Sequence, residues 1–69
     1  MKKYYEFLYC LRADGVASRS ALERRNRGRS AEQIDECLSL GYIAIYDTND
    51  IGIPRYCITQ LGEEYLDNV

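Results

Sequence analysis

Apolar side chains recur along this chain with two different periods. From Ser30 to Gly41 the large hydrophobes Ile34, Leu38 and the small Cys37 fall on one side of a 3.6-residue repeat, with Glu32, Asp35, Glu36 and Ser39 on the other. That spacing predicts an amphipathic helix. Ser30 with Gln33 fits a reciprocal capping box at its start, and Gly41 supplies the left-handed residue that closes it. The period then drops to two. Tyr42-Ile43-Ala44-Ile45-Tyr46 alternates, with Ile43 and Ile45 to one side, as a half-buried strand does. A run dense in turn formers, Asp47 to Pro54, follows, and Arg55-Tyr56-Cys57-Ile58 returns as a second strand with Tyr56 and Ile58 on a common side.

The flanks complete the pattern. Lys2 to Ala13 reads as a first helix whose inner stripe is Tyr4, Phe7, Leu8 and Leu11, ended by Asp14-Gly15. Tyr5 and Tyr9 lie on another face, about 100 to 140° away. A helix aromatic on two faces has two surfaces to cover. Either the C-terminal helix covers the second, or Tyr5, Tyr9 and Tyr65 form a homodimer contact. Val16-Ala17 is a candidate short edge strand. Ser18 caps a second helix, Arg19 to about Asn26, in competition with a Ser20/Glu23 capping box, and Leu22 is its one large hydrophobe. Asn26 to Arg29 makes the turn. Thr59 caps a last helix, Gln60 to about Asp67, which presents Leu61, Tyr65 and Leu66. No internal repeat or low-complexity tract interrupts residues 1–69, which read as a single domain.

Composition narrows the chemistry. Of the 69 residues 46% are hydrophobic and 29% charged, a globular balance close to the lower size limit for a self-sufficient core. No apolar run approaches the ~20 residues that span a bilayer, and the Met-Lys-Lys start does not lead into a signal-peptide core, so a cytoplasmic location is expected. Cys10, Cys37 and Cys57 are odd in number and widely spaced, and there is no histidine. This argues against a disulfide framework or a metal site, and no cofactor is expected. It also removes the commonest general base. With no phosphate loop or nucleophile elbow, the chain reads as a non-enzyme, with no catalytic residue to name.

Charge is the most informative feature. The net charge is -2, but residues 1–31 hold eight basic side chains against three acidic ones, whereas residues 32–69 hold Arg55 against eight acids. The chain is electrically two-faced, with Arg19, Arg24, Arg25, Arg27 and Arg29 crowded around the second helix and the turn that follows.

Leu38-x-x-Gly41-Tyr42-Ile43, the eight-residue polar loop, and Tyr56-Cys57-Ile58-Thr59-Gln60-Leu61-Gly62 together resemble the winged helix-turn-helix pattern of MarR-like and PadR-like bacterial DNA-binding regulators. The resemblance covers nearly the whole chain. It implies an α+β winged helix-turn-helix fold: three helices, a small two- to three-stranded antiparallel wing sheet and a short C-terminal helix. It further implies that the helix beginning at Ser30 enters the major groove and that the wing touches the backbone or minor groove.

On that basis the expected function is a small bacterial or phage transcription regulator that binds double-stranded DNA as a dimer. Arg19, Arg24, Arg25, Arg27 and Arg29 would meet phosphates, Ser30 and Gln33 would reach base edges, and Arg55 would mark the wing contact. Three departures from the family pattern stand out. The second helix has little apolar content beyond Leu22, the candidate recognition helix exposes Glu32, Asp35 and Glu36, and the wing carries Asp47 and Asp50. The alternative is the same fold used as a protein–protein interaction module that does not bind DNA.

Overall fold

The computed structural model describes residues 3–26 and 30–68; the side chains of residues 25, 26, 30 and 31 also lie outside the description. The elements run in the order α1 (Tyr5–Asp14), β1 (Ala17–Ser18), α2 (Arg19–Asn26), α3 (Ser30–Leu40), β2 (Ile43–Thr48), β3 (Pro54–Ile58) and α4 (Gln60–Asp67). Among the described residues this is an α+β arrangement of four helices and one antiparallel sheet, with strand order β1-β3-β2.

The element ends follow from local chemistry. The Ser18 hydroxyl accepts from the Ala21 N–H at 3.3 Å, so α2 is capped at Ser18 and not two residues later. At the end of α3, the Tyr42 N–H reaches the Cys37 carbonyl at 2.9 Å and the Gly41 N–H reaches that of Leu38 at 3.2 Å. This pair of bonds is a Schellman closure, and it needs Gly41 at φ 82°. Thr59 caps α4 by accepting from the Gly62 N–H. The first helix starts later than its sequence suggests: Tyr4 precedes it without making a side-chain cap.

In the sheet, β3 is central. Ala17 and Ser18 pair with Tyr56 and Arg55, while Ile43, Ala44 and Ile45 pair with Ile58, Cys57 and Tyr56. Beyond that point the register shifts, since Asp47 rather than Tyr46 faces Arg55, so Tyr46 sits in a bulge. Strand β2 therefore runs two residues further than the alternation predicted.

Helices α1, α2 and α3 and the inner face of the sheet enclose the core. Phe7, Leu8 and Leu11 of α1, Leu22 of α2, Ile34 and Cys37 of α3, Ile43 and Tyr56 of the sheet and Leu66 of α4 are all buried. Leu22 is the fully enclosed side chain of α2 among the described residues, with Ala21 packed beside it against the core. Burying a side chain of this size contributes about 1.5–3 kcal/mol.

Two expected core positions lie elsewhere. Ile45 follows Ile43 in the alternation but is 56% exposed on the edge strand β2, unlike its covered cross-strand neighbour Tyr56 on the central strand. Leu61 is 48% exposed, and the place against the body is taken by Gly62. A β-carbon at position 62 would collide with the Tyr42 carbonyl oxygen and come within 2.6 Å of the Ile58 side chain. The missing side chain is what lets α4 approach.

Candidate nucleic-acid interface

Helices α2 and α3 pack on each other and carry most of the expected contact residues. Arg24 is exposed on α2, and Gln33 is half-buried on α3. Arg27 and Arg29 lie outside the described residues, as do the side chains of Arg25 and Ser30 and hence the proposed Ser30 capping box.

Arg19 reaches across from the start of α2 to Asp35 on α3, Nη2 to Oδ1 at 3.3 Å. Its guanidinium is held further toward the charged form, first by the Tyr56 hydroxyl and then by Asp35. Arg55 lies on β3, where it faces Ser18 of β1. The Arg55 guanidinium is engaged by both oxygens of Asp47, with Nε donating at 2.7 Å, and it lies 5.8 Å from the Tyr46 ring centroid. That pairing depresses the Asp47 carboxyl and raises the arginine. Each of these two expected contact cations therefore already has a carboxylate neighbour. Both pairs are substantially solvent-accessible and worth little in themselves, so a phosphate can compete for either guanidinium.

The acidic face of α3 is partly neutralised in the same way. The Glu36 carboxylate accepts from the Tyr4 hydroxyl and pairs with Lys3 Nζ at 3.1 Å, which turns it toward the start of α1. These donors hold its carboxyl below the usual range, Tyr4 contributing most. With Asp35 drawn to Arg19, Glu32 is the member of the three for which no such partner is found among the described residues.

Five of the seven tyrosines fall into two groups. Tyr4, Tyr42 and Tyr65 pack as a cluster, with ring centroids 6.1, 6.1 and 4.9 Å apart, and the Tyr65 hydroxyl accepts from the Tyr4 N–H at 3.1 Å. Tyr65 is thus used within the chain. Tyr5, partly buried against the core, stacks on Tyr9 at 6.0 Å, and Tyr9 is 51% exposed on the outside of α1.

Sequence reasoning missed the character of the β2–β3 turn. Asn49 builds it: its carboxamide oxygen accepts from the N–H groups of Ile51 and Ile53 at 3.0 and 2.8 Å. Its backbone carbonyl also takes the Gly52 N–H at 3.0 Å. The result is a tip that displays Ile51 at 79% exposure, with Ile53 and Tyr46 also exposed. Two isoleucines in an otherwise polar loop were the available signal.

The three cysteines are free, and burial pushes the Cys37 thiol up to about 12, so it packs as an inert apolar group. Among the described residues no cluster could hold a metal ion, and no helix is long and apolar enough to cross a membrane. No protein-family model matches this chain, and neither does any curated protein or solved structure.

Proposed function

We propose that this chain is a winged helix-turn-helix regulator that binds duplex DNA through α2, the following turn and the start of α3. The observation that carries the reading is the combination of element order and charge. Helix, short strand, two packed helices and a hairpin closing a β1-β3-β2 sheet is the order a winged helix requires. Arginines run along the second helix into the N-terminus of the third. A helix N-terminus offers free N–H groups and partial positive charge, which suits a phosphate. Two of the carboxylates that would repel DNA, Asp35 and Glu36, are engaged by cations of the same chain, which lowers the cost of approaching the backbone.

Fluorescence anisotropy with a labelled random-sequence duplex tests this. Four phosphate contacts from Arg24, Arg25, Arg27 and Arg29 give a slope of log affinity against log salt of about -4. Absence of salt-dependent binding overturns the reading.

A second reading rests on the hairpin. Its tip displays Ile51 and Ile53, Tyr46 is exposed further along β2, and its arginine is taken by Asp47, a surface better suited to a protein than to phosphates. A chain that ignores duplex DNA would act as a docking module through that tip.

A further inference from the structure

We infer that Glu32 of α3 selects the bound sequence by accepting a hydrogen bond from the amine of a cytosine in the major groove, which presupposes the DNA reading. Glu32 is exposed, and the buried Ile34 and Cys37 point about 160° and 140° away from it round the helix. It faces outward. Asp35 lies about 60° to one side and is drawn to Arg19 at the start of α2, while Glu36 lies about 40° to the other and is held by Tyr4 and Lys3. Both flanks of the outward face are thus tied to neighbouring elements, and Glu32 stands between them with the exposed Ser39. Ser39 is about 10 Å further from the helix start. Gln33, the other polar side chain of this turn, is half-buried and about 100° round from Glu32.

Hydrogen-bond chemistry then selects the base. A carboxylate accepts and cannot donate, and phosphate oxygens do the same, so at a DNA contact Glu32 has to face a donor. The major groove offers two, the N4 amine of cytosine and the N6 amine of adenine. Adenine sets its N7 acceptor beside that amine, where it opposes the second carboxylate oxygen, whereas cytosine has no acceptor of its own there. Cytosine is the match. In the first turn of α3, close to where the preceding arginines would meet phosphates, the carboxylate weakens binding to most sequences and favours the one that supplies the amine.

Selection of duplexes from a randomised pool, followed by anisotropy titration of the enriched sequence, tests this. The wild-type chain enriches a cytosine at a fixed position, and replacing that C·G pair lowers its affinity about fivefold or more. Glu32→Ala binds the unselected pool several-fold more tightly and loses the preference at that pair. Glu32→Gln, which keeps the length of the side chain, moves the preference toward adenine, whose N6 and N7 a carboxamide can bridge. A wild-type chain that binds the pool with salt dependence but enriches no cytosine overturns the inference and leaves the interface standing. So does a Glu32→Ala chain that retains the wild-type preference. A wild-type chain that binds no duplex overturns both.

Discussion

The Thr59 hydroxyl donates to the carbonyl oxygen of Gly41 at 2.5 Å while accepting the Gly62 N–H at 3.2 Å. One side chain thus satisfies an orphan carbonyl at the end of α3 and an orphan N–H at the start of α4. Thr59→Ala removes both, and a loss of about 1–2 kcal/mol is expected by urea denaturation, with Thr59→Ser keeping most of the stability.

Leu22 is the one large apolar side chain with which α2 enters the core, and it is fully buried. Leu22→Ala should cost about 2–5 kcal/mol. A destabilisation below about 1 kcal/mol, measured by chemical denaturation, would mean that α2 is held by its polar contacts instead.

Gly62→Ala forces a methyl group against the Tyr42 carbonyl oxygen and the Ile58 side chain. Backbone oxygen cannot swing aside as a flexible side chain can, so α4 has to shift and a cost of about 2 kcal/mol or more is expected. Thermal melting of the variant reads this directly, and an unchanged midpoint would contradict the close approach.

The bond from Tyr4 to Glu36 weakens at both ends of the pH scale. The Glu36 carboxyl is held below its ordinary value of 4.5, so its contribution is present above that value and is lost as pH falls through the folded one. Asp47, depressed by Arg55, acts in the same direction. The Tyr4 hydroxyl is raised above 10.0, chiefly by its hydrogen bond to Glu36, so its contribution is present below that value and is lost as pH rises through the folded one. The stability gap between wild type and Tyr4→Phe, measured by denaturant titration across pH, should be flat near neutrality and close at each extreme. A gap independent of pH would show that the hydroxyl bond contributes nothing.

On DNA, Arg27→Glu with Arg29→Glu should lower affinity by about tenfold or more with little change in melting temperature, and each phosphate that is no longer neutralised flattens the salt slope by about 0.9. Asp47→Asn frees the Arg55 guanidinium from its charged neighbour and should tighten binding several-fold. Both are read by anisotropy titration, and unchanged affinity in the double variant would remove this segment from the interface.

Much of the architecture was legible because its boundaries are written locally. Ser18, Gly41 and Thr59 each end or begin an element by a bond to its own backbone, and the helical stripe of Phe7, Leu8 and Leu11 is the stripe that is buried. What sequence could not supply is the extent of one layer over another. Ile45 continues the alternation of Ile43, yet on the edge strand it is left exposed. Leu61 looks like a core residue and Gly62 like a spacer, yet the close approach of α4 to Tyr42 reverses their roles. The candidate site was legible as a list of arginines, but not as pairs. That Arg19 and Arg55 each face an aspartate, and that Glu36 turns away to Tyr4 and Lys3, depends on side chains brought together from different elements.

The carboxamide and backbone of Asn49 close the hairpin tip by bonds made within residues 49–53. The shape of the turn and the chemistry it offers are therefore separable: the side chains at 50 and 51 can be exchanged while the backbone keeps its course. Such a protrusion can be retargeted by one or two substitutions, at no expense to the scaffold beneath it.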